Sequence, residues 1–317
     1  MKITICGSIG FYKEIAQGIL RYVRTFLSDH VEGGFYGSQD ADEDYYQLSA
    51  EDRKKRSAPF IDRRLYTHWN AQMVSSYLKA GLILDDPAYT AFALKTLNRL
   101  LDMVYDPRTG MRHVSGTTTP VDGLLADQLW MLHALLDAFE LTHDGRYLGA
   151  VKELATHLES YYDASHGGFF DRLPRPDDIG ILKTREKPLM ENALAVRVLL
   201  RLRFHLHNES DMAQAEATLK ALLPLVPQYS FLAAPYAFAS ELFTQEPTKV
   251  EIKGHTTDPE VQKILAIANA FYDPRKVVLF EEADTRQVFL CLQTVCLPPL
   301  AGPDELMKAL HAQKVPA

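Results

Sequence analysis

The chain has 317 residues, of which 47% are hydrophobic and 24% charged, with 17 glycines and 17 prolines. That composition excludes a disordered, collagen-like or low-complexity protein and supplies enough apolar residues for a large core. Basic residues number 34 against 41 acidic, a net charge of −7, and apart from Arg53-Lys54-Lys55-Arg56 they are scattered, so no nucleic-acid partner is expected.

In chain order, the opening Met1 to Gly10 could pass for a strand entering a glycine turn, but no GxGxxG follows and the next segment is helical. Ile15, Ile19, Tyr22, Val23 and Phe26 recur at helical spacing and predict a helix over 11–27. The same periodicity predicts helices over 68–84, 87–105, 121–142, 144–162, 188–207, 210–224 and 229–245, eight in all. Beyond residue 247 the texture changes: 250–253, 276–280 and 287–292 read as short strands, with a helix over 258–271 between the first two. The expected division is therefore a helical domain over 1–247 and a small α/β element over 248–317.

A repeat underlies the helices. Tyr12, Tyr89 and Tyr147 each lead, sixteen or seventeen residues on, to Asp29, Asp106 and Asp163, and four residues later to Gly33, Gly110 and Gly167. Glycine suits the positive-φ position at a helix C-terminus, and Phe35, Met111 and Phe169 follow as apolar anchors. Tight turns at Asp85-Asp86-Pro87 and Thr142-His143-Asp144-Gly145 alternate with long connections over 28–67, 106–120 and 163–187. That alternation predicts an array of helical hairpins whose long loops share one rim, where a site belongs.

No apolar stretch reaches the roughly 18 to 20 residues that cross a bilayer, and no secretory leader is recognisable, so a cytoplasmic protein without a membrane partner is expected. Three cysteines make no disulfide framework; Cys291 and Cys296 read as small buried residues on a strand. His205 and His207 lie two apart on a helix, a poor metal pair, and neither metal nor cofactor is expected. GxSxG, HExxH and Walker strings are absent from the sequence.

The strings Gly33-Gly34-Phe35-Tyr36-Gly37-Ser38-Gln39-Asp40-Ala41-Asp42, Trp69-Asn70, Gly167-Gly168-Phe169-Phe170 and Arg185-Glu186-Lys187 resemble the thioredoxin-domain-containing family that includes the spermatogenesis-associated thioredoxin-like proteins. The resemblance spans about residues 11–310. It implies a mainly α fold, an (α/α)6 toroid of helical hairpins similar to N-acylglucosamine 2-epimerases, with the family's thioredoxin domain lacking. Eight helices supply four of six hairpins, so a partial, open toroid is expected. Its uncovered flank would be closed by self-association or by a thioredoxin-like partner chain.

A small-molecule carbohydrate is the expected ligand. Asp40, His68, His113 and Asp127 are the candidate acid-base groups, because sugar isomerisation needs two opposed proton carriers. Phe35, Tyr36, Trp69 and Phe169 are candidate stacking surfaces, and Asp42, Asn70, Arg112, Arg185 and Asn192 candidate polar contacts. A glycosidase would instead pair Asp40 with a second carboxylate such as Asp122, Asp127 or Glu191. The rival expectation is a non-catalytic scaffold or accessory module.

Overall fold

A computed structural model describes residues 9–116, 121–292 and 295–312. Most of the opening segment read as a strand lies outside them, and Ile9 and Gly10 already belong to the first helix. The chain forms two units, Met1–Asp122 and Gly123–Ala317.

In the first unit, α1 (Ile9–Phe26) leads into the Asp29–Gly33 turn. β1 (Ser38–Gln39) pairs antiparallel with β2 (Ile61–Asp62), closing a loop that holds the short helices α2 (Glu43–Gln47) and α3 (Ala50–Arg53). The hairpin α4 (Thr67–Leu84) and α5 (Pro87–Val104) follows. Asp85 ends α4 in a left-handed conformation, and the Asp86 carboxylate caps α5 by accepting from Ala88 N–H, with Pro87 at the first helical position. Gly81 lets the two helices close up, since a Cβ there would overlap Thr90 Oγ1. β3 (Tyr105–Asp106) and β4 (Gly110–Met111) then form a two-residue ladder.

One face of α1 stays open. Phe11, Ile15, Ile19, Tyr22 and Phe26 are exposed, whereas Val23, expected with them, is half-buried. The core of this unit lies between α4 and α5, where Ala71, Val74, Leu78, Leu97 and Leu100 are buried.

The second unit repeats the hairpin. α6 (Leu125–Thr142) pairs with α7 (Gly145–Leu158), and α8 (Leu189–Leu206) with α9 (Ser210–Leu222). α6 and α8 are apolar around most of their circumference and bury Leu129, Met131, Leu132, Leu135, Val196 and Leu199, as helices enclosed on all sides do. Toward their C-terminal ends they share buried charge. Arg201 reaches Asp137 at 2.8 Å and Glu140 at 3.0 Å, and His205 meets the same Glu140 at 2.8 Å. Burial pushes the Glu140 carboxyl up, but the Arg201 charge and the His205 hydrogen bond outweigh it, so the net direction is down.

α10 (Val226–Tyr229) and α11 (Ala234–Thr244) lead to a sheet of order β6-β5-β7-β8. β5 (Thr248–Gly254) and β6 (Lys276–Glu282) are parallel, connected through α12 (Pro259–Ala270), while β7 (Gln287–Leu292) pairs antiparallel with β5 and β8 (Val295–Cys296) antiparallel with β7. α13 (Pro303–Ala312) closes the core formed by Val250, Ile252, Ile264, Val278 and Leu290.

The cysteine reading needs correction. Cys291 and Cys296 face each other across β7 and β8 and are joined as a disulfide. A separation of five residues becomes direct opposition only once the hairpin register is set. No helix of the described residues is long and apolar enough to cross a membrane.

Candidate functional site

The Asp29–Gly33 and Asp163–Gly167 turns are small built objects, whereas at the third the Asp106 carbonyl accepts from Thr109 N–H instead. Asp29 O accepts from Gly33 N–H at 2.8 Å, Asp29 Oδ1 accepts from the N–H groups of Val31 and Glu32, and Ser28 bridges Phe35. In the second unit Asp163, Gly167, Ser165, His166, Tyr162 and Phe169 take the same places. Gly34, at φ +120°, holds a conformation that a Cβ would strain, and that Cβ would also press on Leu65 at 2.9 Å.

Both turns are clamped by an asparagine on the following helix. Asn70 Oδ1 accepts from Phe35 N–H at 2.7 Å, while its Nδ2 donates to Phe35 O and Tyr66 O, each at 2.9 Å. Asn192 does the same for Phe169 N–H at 2.6 Å, Phe169 O and Pro188 O. Asn70 and Asn192 are buried with their amides committed to backbone, and Phe35 and Phe169 are buried beside them. These four, expected to face a ligand, belong to the scaffold.

Asp42 is corrected likewise: its carboxylate caps α2 by accepting from Tyr45 N–H. Asp40 is exposed, and its N–H donates to Phe60 O. Arg112 donates to the Asp106 carboxylate at 2.8 Å, and together with the Arg108 N–H, the largest influence, this holds Asp106 down at about 2.

Around the N-terminus of α4 the other expected residues of the first unit come together. Thr67 N–H donates to His113 O at 2.8 Å, His113 N–H to Val121 O at 2.7 Å, and Tyr66 bridges Val114. These bonds set the His113 ring parallel to that of His68, with centroids 5.5 Å apart and planes at 16°. Trp69 lies 5.4 Å from His68 and is 46% exposed. Tyr66 supports the group, 4.9 Å from Trp69 and 5.6 Å from His113.

The Tyr66 hydroxyl donates to Asp62 Oδ2 at 2.9 Å, and Gly37 leaves room for its ring. Asp62 is gripped by Arg64, which holds its carboxyl well below the usual carboxylate range; burial and then Asp62 push the Tyr66 phenol up. Tyr36 lies beneath the Arg63 guanidinium at 5.4 Å.

The second unit holds the remainder. Asp127 is buried in the first turn of α6. Arg185 lies 3.7 Å above the Phe170 ring, and Lys187 donates to Asp163 Oδ2 at 2.7 Å and Gly167 O at 2.6 Å. Tyr36 under Arg63 and Phe170 under Arg185 are equivalent places in the repeat. Arg63 and Tyr66 are absent from the residues expected from sequence. The available signal was register: Arg63 and Arg185 each stand four residues before the helix that carries the clamp asparagine.

A succession of helical hairpins with these turns defines the α/α toroid class, and comparison of structures agrees. The fold resembles a family 76 α-mannanase of Bacteroides thetaiotaomicron, with a TM-score of 0.55 at 13% identity over 97% of this chain and 82% of that one. It also resembles a sugar epimerase from a ruminal bacterium, with a TM-score of 0.50 at 13% identity over 69% and 55%. In sequence the chain is similar to human spermatogenesis-associated protein 20, 23% identical over 297 residues, and to its rat counterpart, 21% identical over 294. The match covers 82% of this chain, which spans 37% of the length of those relatives. No protein-family model matches the chain.

Proposed function

We propose that the surface formed by Tyr36, Arg63, Tyr66, His68, Trp69 and His113 binds a carbohydrate and that the two imidazoles move a proton on it. The observation that carries this reading is the pair of parallel imidazoles beside a half-exposed indole. An indole face stacks on the C–H face of a pyranose, and imidazole is the side chain that both gives and takes a proton near neutral pH. In an aldose–ketose or epimer interconversion, one imidazole removes the proton from the carbon beside the carbonyl. The other supplies a proton to the carbonyl oxygen, giving an enediol. Reprotonation of the same carbon on its opposite face, with the proton on the former carbonyl oxygen returned to its imidazole, gives the epimer, whereas reprotonation of the former carbonyl carbon, with the neighbouring hydroxyl giving up its proton, gives the ketose. Solved relatives of this fold include a sugar epimerase and an α-mannanase. The imidazole pair favours proton transfer over glycoside hydrolysis, which would need two carboxylates across the bond.

A second reading is a sugar-binding scaffold without turnover, favoured by the use of Asn70, Asn192 and Asp42 for structure alone. Titration with neutral mono- and disaccharides, following tryptophan fluorescence, tests binding. The chain has two tryptophans, Trp69 and Trp130, and Trp69→Phe should abolish the saturable change. A saturable change that survives Trp69→Phe would remove the assignment of this surface.

A further inference from the structure

The first unit contains a cavity of about 190 Å³ where the end of α1 meets α4 and α5. Ser28 and Tyr77 are its buried lining, Tyr89 and Phe92 are half-buried, and Arg24 and His30 stand exposed. Tyr77 lies eight residues beyond Trp69 on α4, about 12 Å of helix rise, so this is a place apart from the surface proposed for sugar.

The aromatic rings pack around one another: Tyr77 is 5.5 Å from Tyr89 and 6.0 Å from Phe92, and Phe92 is 6.2 Å from His30. A cavity of about 150 Å³ with apolar walls holds a benzene ring, so the space suits a compact apolar group. Its polar groups are rich in donors: the Arg24 guanidinium, the His30 imidazole and the hydroxyls of Tyr77 and Tyr89. No carboxylate lines the cavity, and among the described residues none pairs with Arg24.

The Tyr77 hydroxyl is shielded from solvent and has no hydrogen-bond partner, a condition that folded proteins rarely leave uncompensated. Burial, and then the neighbouring Tyr89, push its phenol up to about 12, so it remains a donor at any physiological pH. A guanidinium with no carboxylate in the lining, beside an unsatisfied hydroxyl, selects an anion, and the rings select one with an apolar body.

We propose that this cavity binds a small organic acid, a carboxylate carried on a ring or branched chain of about six to ten heavy atoms. The apolar body packs against Tyr89 and Phe92, and the carboxylate is received by Arg24 and the Tyr77 hydroxyl.

Calorimetric titration of the full chain with phenylacetate near neutral pH tests this. The expected dissociation constant is below about 1 mM, with phenylacetamide, the neutral analogue, at least about tenfold weaker. Inorganic phosphate at equal concentration should not compete, because it has nothing for the rings. Arg24→Gln, at an exposed position, should weaken phenylacetate at least about tenfold. Tyr77→Phe should weaken it about three- to tenfold while leaving the melting temperature of the free chain unchanged or raised, since it removes an unpartnered hydroxyl. Trp69→Phe should leave phenylacetate binding untouched, which keeps this result separate from the fate of the sugar reading. The proposal is overturned by equal affinity for acid and amide, by unchanged affinity in both cavity variants, or by absence of binding at about 10 mM phenylacetate.

Discussion

Asn70 and Asn192 show how little of a polar side chain's role can be read from its type. An asparagine near the start of a helix invites a ligand reading, yet each amide here makes three hydrogen bonds to backbone, two of them to the N–H and C=O of the buried Phe35 or Phe169. Asn70→Ala should therefore cost about 2 to 4 kcal/mol, because it strands the buried N–H and C=O of Phe35. Asp42→Ala should cost only about 1 kcal/mol, the worth of an exposed N-cap. Urea denaturation of the two variants checks both figures, and equal small costs would contradict the clamp. His143 carries a pH dependence: burial depresses its imidazole from 6.5 to about 4. Between those values the unfolded chain holds the extra proton, so this contribution to stability is complete above about pH 6.5 and is lost as pH falls toward 4. Its slope is at most about 1.4 kcal/mol per pH unit. Asp211, raised to about 6 by burial and then by Glu159, acts oppositely: the folded chain holds its proton, and stability falls as pH rises from 3.8 to 6. His143→Asn, which suits the left-handed backbone at φ 54°, should leave the Asp211 limb and remove the His143 limb. Unfolding free energies measured at several pH values would contradict this if variant and parent had the same slope.

Among the elements, the long helices and their pairing were legible because periodicity and connection length report burial and neighbourhood directly. In the structure α6 and α8 are buried around most of their circumference, and α5 and α7 along one face. Less legible were α2 and α3, too short for periodicity, although Asp42 before Glu43-Asp44 and Ser49 before Glu51-Asp52 carried the capping signal. Cys291 and Cys296 were misread because a cross-strand pair depends on register, which a six-residue window does not fix. The Tyr66 and Arg63 contributions were hidden because support for a ring is a matter of packing. Two substitutions test the helix account. Ile19→Glu on the open face of α1 should change stability by less than about 0.5 kcal/mol, while Leu97→Ala in buried α5 should cost about 2 to 5 kcal/mol. Gly81→Ala should cost about 1 to 3 kcal/mol despite alanine's better helix propensity, because the methyl group meets Thr90 across the α4–α5 contact. A stabilised Gly81→Ala variant would mean that the hairpin is looser than described.

For the molecule as a whole, the array of helical hairpins follows from the alternation of connections and the α/β C-terminal element from the change of pattern near residue 247, and both are present; the toroid class was what the family resemblance implied. The disulfide can be counted chemically. Alkylation of the unfolded chain without reductant should modify one cysteine, Cys6, and after reduction all three. Three modified cysteines before reduction would remove the Cys291–Cys296 bond. The central claim is that His68 and His113 move a proton on a sugar held against Trp69. Its most direct test is nuclear magnetic resonance of aldoses incubated with the protein in deuterium oxide, following loss of the C2 proton signal. Exchange is expected with at least one aldose, reduced about 100-fold or more in His68→Gln or His113→Gln, in keeping with the contribution of a general acid or base. Saturable sugar binding without any exchange at C2, or exchange that persists undiminished in both histidine variants, would contradict the claim.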